Sequence, residues 1–384
     1  MRIIDPKKLE KTLLDRVHYA MARGRLAGAA ILVSQGGEIV CELHEGYANA
    51  ETGARLEPHA MFRLASMTKP FSGVACLIGI QNGWFNVEDR VADYLPEFDG
   101  ICVGRVENGR VVAGHRAKNE LRIHHLLSHS NGLLVQDEAG VLQFEAAPFE
   151  AFASNRAMAE YCARHTFLSF EPGEAISYSG YAAFDVFARI IEIKSGMSYA
   201  DFLRKNILDP LGIRDITFRP TEEQWGRMVA MHDYAESPHM LAFDIGRHTF
   251  ESFPLDYTCA GASLAGSIED YRVFAEMLRG RGKYGGVRIF EDALTDVMTH
   301  PYVADGIPGR DPENSWGLGV RVAVHNSVIP NGSFGWSGAY GTHFWVDPEN
   351  DITAIFMKNN RWYDSHGCGE TGAQFERDVM SALR

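Results

Sequence analysis

The apolar residues of this chain follow two different periods, and the order in which those periods occur constrains the fold most. Residues 5–23 place Leu9, Leu13, Val17 and Met21 on one face with Lys and Asp between them, an amphipathic helix. Residues 28–34 and 38–43 are β-prone and flank Gln35-Gly36-Gly37, a hairpin across a glycine turn. An apolar helix is expected over 70–82, closed by Gly83 and opened by Pro70, whose missing N–H costs little in a first helical turn. From 121 to about 211 the period is mostly helical, as in 184–193 and in 198–207 before Pro210-Leu211-Gly212. Strand character returns in 316–324, 341–346 and 352–357, and 372–383 reads as a terminal helix. At 384 residues the chain exceeds the size at which one core usually keeps growing. The expected plan is α+β. A strand-rich lobe with an antiparallel sheet comes from 1–75 and 255–384, and a mainly helical lobe from 76–254. A hairpin insertion is expected at 100–120, around Asn108-Gly109.

Composition excludes several classes of function. A net charge of −13 disfavours nucleic acid and anionic membrane, both polyanions. Cys41, Cys76, Cys102, Cys162, Cys259 and Cys368 are scattered without Cys-x-x-Cys spacing, so neither a zinc site nor a disulfide framework is indicated. The first residues turn polar before an apolar stretch of signal-peptide length, and no run reaches the length of a membrane span. The expectation is a cytoplasmic protein. The acidic residues Asp89, Asp93, Glu97, Asp99 and Asp347 read as surface charge, and 359–363 as either a cleft lining or a packed turn.

Three segments carry chemistry. In Ser66-Met67-Thr68-Lys69 a hydroxyl stands one helical turn before an amine, and residues i and i+3 share a face. A serine hydroxyl is a weak nucleophile until a neighbour takes its proton, and Lys69 is such a neighbour; a solvated helix start is the plainer alternative. A helix N-terminus adds free N–H groups that can face an oxyanion. Tyr178 follows Pro172-Gly173 in a loop that can hold a phenol at a cleft; as a base it needs a nearby cation, which Lys69 provides. Packing is the alternative reading of that tyrosine. Third, Gly335-Trp336-Ser337-Gly338-Ala339-Tyr340-Gly341 offers either a close ligand approach, with the Ala339 N–H as a second oxyanion donor, or a tight bulge with structural glycines.

Taken together these segments resemble the serine β-lactamase and penicillin-binding-protein superfamily, on the side of class C β-lactamases and family VIII carboxylesterases. The Ser66–Lys69 tetrad is preceded by Phe62-Arg63-Leu64-Ala65. His125-Leu126-Leu127-Ser128-His129-Ser130-Asn131-Gly132-Leu133 is similar to the family's "HLLTHTSGL" segment, and Pro172-Gly173 through Tyr178-Ser179 to its "PG…YSN" loop. Tyr199 through Pro210-Leu211-Gly212, and Ala260-Gly261-Ala262-Ser263-Leu264 with Asp270-Tyr271, resemble further family segments in the family's order. The resemblance implies that Ser66 is the acylated nucleophile, that Lys69 and Tyr178 share the acid–base work, and that the cleft lies between the two lobes. It implies no metal and no organic cofactor.

The departures bear on substrate. Where β-lactamases and peptidases carry Lys-Thr-Gly, this chain has Trp336-Ser337-Gly338, which removes a cation beside the substrate's carboxylate and adds an apolar wall. Where the loop usually reads Tyr-x-Asn, Gly180 removes an amide that contacts an acylamino group. Both favour ester hydrolysis or acyl transfer on a small-molecule substrate. A β-lactamase, a D-amino-acid amidase or peptidase, and a non-catalytic binding protein are the alternatives. No Gly-x-Ser-x-Gly elbow occurs. His125 and His129 have metal-ligand spacing but lack the intervening Glu, so structural hydrogen bonds for His129 near the Ser130-Asn131-Gly132 turn are the stronger expectation. Oligomeric state is not written in the sequence.

Overall fold

A computed structural model describes residues 2–233, 241–255, 257–360 and 368–384. Its first helix, α1 (Pro6–Ala22), starts at Asp5, whose carboxylate accepts the Lys8 N–H, and buries Leu9, Leu13 and Val17. Strands β1 (Gly28–Gln35) and β2 (Glu38–Asn49) form the expected hairpin. Gly36 and Gly37 turn it at φ +62° and +86°, both in the left-handed region that such a two-residue turn requires. A short β3 (Ala54–Arg55) pairs with β2. Helix α2 (Lys69–Gln81) runs through the core, and α3 (Ala182–Ser195) packs against it.

The remaining strands of the main sheet come late in the chain: β4 (Asn314–Trp316), β5 (Arg321–Ala323), β6 (Phe334–Ser337), β7 (His343–Asp347) and β8 (Ile352–Met357). The eight strands are ordered β4-β5-β6-β7-β8-β1-β2-β3, all antiparallel. The β8–β1 pairing, with Phe356 opposite Ile31, joins the two ends of the chain. Alternation then sorts side chains to two faces. Ala29, Ile31, Val33, Trp345 and Phe356 face α1 and the terminal helix α5 (Cys368–Ser381), through Phe375 and Val379. Leu32, Phe344 and Ile355 face α2 and α4 (Ile268–Arg279), whose Phe274 stacks on Phe71. This second core is contiguous, running through α2 to Leu126, Phe187 and Ile191.

Several expectations need correction. The run 316–324 is two strands, because Gly319 turns at φ +71° with its Cα against the Lys69 carbonyl, where a Cβ would stand 2.4 Å away. Asp347 is fully buried, not surface charge: its carboxylate accepts the N–H groups of Glu349 and Asn350 and the Asn350 amide, closing the β7–β8 turn. The expected helix over 198–207 is one α-turn, Tyr199–Leu203, continuing into a π-turn at Arg204–Leu208. Asn359 and Asn360 are packed, with Asn359 bonded to both backbone groups of Arg63; 361–363 lie outside the described residues. Cys102–Glu107 and Arg110–Arg116 form the hairpin expected at 100–120.

Candidate active site

Ser66 lies in a single 3-10 turn, Ala65–Thr68, immediately before α2. In a 3-10 turn residues i and i+3 eclipse, so Lys69 is brought directly alongside Ser66. The turn is held from three directions. Thr68 Oγ1 donates to the Ala65 carbonyl and accepts the Leu264 N–H, Tyr271 OH donates to the Met67 carbonyl, and Leu64 N–H donates to the Leu264 carbonyl. Ser66 is the second residue of the turn, so its N–H has no partner within it.

Lys69 is entirely buried. Its Nζ lies 3.1 Å from Ser66 Oγ and 2.9 Å from each of the Gly180 and Gly261 carbonyl oxygens. It also stands 4.8 Å from the centre of the Tyr178 ring and 4.9 Å from that of Phe184. The two carbonyls occupy two N–H bonds and leave the third direction, a proton or a lone pair, aimed at the serine. Gly261 makes this possible, since a Cβ there would meet the Gly180 carbonyl at 2.6 Å and Lys69 Nζ at 3.3 Å.

Tyr178 OH donates to Ser66 Oγ at 2.7 Å and accepts Trp336 Nε1–H at 3.1 Å. The phenol is fixed from behind by His129, whose ring centre is 4.4 Å away and whose Nδ1 accepts the Ser179 N–H. Burial, with Lys69 nearby, holds the His129 imidazole well below its ordinary pKa, so it is neutral. Gln136 N–H donates to the Tyr178 carbonyl and Ser179 Oγ to the Leu133 carbonyl, completing the clamp. His125 serves a different turn: its Nδ1 accepts the Arg122 N–H, and burial pushes its pKa down to about 3. The two histidines thus have separate backbone partners. Among the described residues the metal-capable group within reach of a single ion is Glu42, His44 and Glu269, which contains none of Ser66, Lys69 or Tyr178.

Strand β6 supplies the opposite wall. Trp336 faces Tyr178 and stands edge-on to Trp316, ring centres 4.3 Å apart. Ser337 alternates to the other face, where its hydroxyl pairs with His343 Nδ1 at 2.8 Å, across from the Trp345–Phe375 layer. Ser337, expected among the substrate-binding residues, thus has its hydroxyl engaged by His343 on the face away from Tyr178. Gly338 is required: a Cβ would stand 2.1 Å from Thr342 Oγ1 and 2.3 Å from the Leu64 carbonyl. Thr342 Oγ1 donates to that same carbonyl, which docks the 338–342 turn against the residues preceding Ser66. The Ala339 N–H donates to no acceptor among the described residues. Gly180 contributes its carbonyl, and space is open on its side-chain side, with no atom within 4 Å of where a Cβ would stand. Beyond it the Phe250 ring bridges Tyr181 and Tyr340, 5.7 and 5.4 Å between centres.

A sequence model described as beta-lactamase matches residues 13–371. The chain belongs to the beta-lactamase family. Esterase EstB of Burkholderia gladioli is 27% identical over 92% of this chain and 91% of that protein. Penicillin-binding protein 4* of Bacillus subtilis is 30% identical over 54% of this chain and 42% of its own. The structure of EstCE1, described as a hydrolase with promiscuous acyltransferase activity, superposes with a TM-score of 0.81 at 22% identity, covering 98% of both chains. These likenesses bear on family and fold. Trp316, Gly261 and the place of His129 behind Tyr178 are the parts of this beta-lactamase-family site that sequence reasoning does not reach. Gly261, inside Ala260-Gly261-Ala262, and His129 stand in segments with a signal, and Trp316 does not.

Proposed function

We propose that this protein is a serine hydrolase that cleaves small acyl esters through an acyl-enzyme on Ser66. The observation that carries the substrate preference is the Trp336 Nε1–Tyr178 OH hydrogen bond, in which a neutral indole occupies the place where a cation would meet a substrate carboxylate. In this reading Ser66 Oγ attacks the ester carbonyl and its proton passes to the Lys69–Tyr178 pair. Negative charge develops on the carbonyl oxygen, and the Ser66 and Ala339 N–H groups receive it. Tyr178 then delivers a proton to the leaving alkoxide. Water, or a second alcohol, attacks the acyl group and regenerates Ser66. The likeness to EstB supports ester chemistry, and EstCE1 supports acyl transfer as the competing second half-reaction. Trp316 and Trp336, whose rings both pack near Tyr178, favour an uncharged, apolar substrate.

The test compares p-nitrophenyl butyrate, nitrocefin and a D-alanyl peptide, with fluorophosphonate labelling of Ser66. We expect turnover of the short ester, little or none of the other two, and loss of labelling and turnover in Ser66→Ala. Faster hydrolysis of nitrocefin or the peptide would overturn the substrate assignment. Absence of both labelling and turnover would favour a binding protein.

A further inference from the structure

Asp185 is a fully buried carboxylate on the first turn of α3, among Phe184, Val186 and Phe187. A charge so placed is costly unless it is hydrogen-bonded and balanced. Both oxygens are used: Oδ1 accepts the Ala260 N–H at 2.8 Å and Oδ2 accepts Tyr257 OH. The segment that these bonds hold, Tyr257 to Gly261, is the one whose last carbonyl takes Lys69 Nζ and whose Ala260 carbonyl takes Ser72 Oγ on α2. Lys69 is the cation that acts electrostatically on Asp185. The other titratable groups facing it are neutral acids: Tyr257 and Cys259 on that segment, Tyr199 on the turn after α3, and Cys162 on helix Asn155–His165.

Resting on the reading of Ser66 and Lys69 given above, we propose that Asp185 is the positioning residue of the Lys69 amine. Its ionised carboxylate fixes the Gly261 carbonyl that grips Nζ and supplies the negative charge that balances an ammonium in the same dry core. Activity therefore requires Asp185 to be ionised. Burial pushes its carboxyl up to about 7, against the pull of Tyr257, Ala260 and Lys69. Activity should then fall as pH drops through that range, as the carboxylate protonates.

The experiment is the pH profile of kcat and kcat/KM on p-nitrophenyl butyrate for wild type, Asp185→Asn and Tyr257→Phe, with the fluorophosphonate labelling rate of Ser66 in each. Asp185→Asn keeps the shape and an acceptor for Ala260 but removes the charge. We expect kcat to fall at least tenfold with KM within about threefold, and the acid limb near neutrality to disappear. Tyr257→Phe removes one hydrogen bond to the carboxylate and leaves the charge, so its acid limb should move to higher pH while the plateau changes little. An Asp185→Asn enzyme with the wild-type acid limb and kcat would overturn the proposal. If Asp185→Asn fails to fold, an unmoved limb in Tyr257→Phe overturns it instead. Failure of wild type to label at Ser66 would sink the hydrolase reading rather than this one.

Discussion

At the scale of single residues, the site concentrates hydrogen bonds on one oxygen. Ser66 Oγ is met by Lys69 Nζ and by Tyr178 OH, and each of these is held by partners of its own. Trp336→Phe keeps an aromatic wall and deletes the N–H that Tyr178 accepts. Its kcat for short esters should fall roughly tenfold, about 1.4 kcal/mol in the barrier, with KM little changed. An unchanged kcat would contradict the role given to the indole. Asp185 gives a stability prediction of defined sign. Its carboxyl is raised from the ordinary 3.8 to about 7, so the folded state favours the protonated form. That stabilisation is complete below about pH 4 and is lost as pH rises toward 7, to the extent of a few kcal/mol. The fall in Tm between pH 5 and pH 8 should shrink in Asp185→Asn. An equal fall in both proteins would contradict it. Sequence proximity decides what is legible here. Ser66 and Lys69 are three apart, and their pairing follows from helical geometry. The carbonyls that hold Lys69 lie 111 and 192 residues away, and only the fold brings them in. The burial of Asp347 is hidden for a different reason: its hydrogen-bond partners are local, but an aspartate beside a proline carries no mark of being buried.

At the scale of elements, β6 and the 338–342 turn position the second wall of the cleft against the residues that precede Ser66. Gly338→Ala would drive a methyl into Thr342 Oγ1 and the Leu64 carbonyl. We expect a loss of about 1–3 kcal/mol in stability and a larger fall in kcat than in binding, because the Ala339 N–H moves with the turn. Denaturant unfolding together with steady-state kinetics measures both; unaltered kinetics would contradict the placement of Ala339. By contrast Gly180→Asn enters open space, so stability should change by less than about 1 kcal/mol while any gain in handling acylamino substrates is read out with nitrocefin. Elements are legible where the period is long or the turn chemistry strong, as in α1, the β1–β2 hairpin and α3. The break between β4 and β5 is not, because Gly319 is dictated by its approach to the Lys69 carbonyl rather than by its neighbours.

At the scale of the whole molecule, the first strand of the chain pairs with the last inside an open sheet, and α1 and α5 cover the same face. Removing 368–384 would expose Trp345 and Phe356, each a large apolar side chain whose burial is worth about 1.5–3 kcal/mol. Such a truncation should lower Tm sharply or yield insoluble protein, and a truncated chain with the wild-type Tm would contradict this account of the core. The order of strand-like and helical periods makes the antiparallel sheet and its helical companion legible. The continuity of the core through α2 is not, since Lys69 through Gly79 are all buried and the sequence does not say which neighbours they join. That continuity positions the pair proposed for catalysis: Ser66 immediately precedes α2, which carries Lys69 at its first residue and is packed by the sheet, by α3 and by α4. The central claim is that Ser66 forms a covalent acyl intermediate, and the most direct measurement is acid-quenched mass spectrometry of the protein mixed with p-nitrophenyl butyrate. The account predicts one butyryl group, on the peptide containing Ser66, accumulating before steady state and absent in Ser66→Ala. Turnover of the ester with no acyl adduct, or with an adduct on another residue, would contradict it.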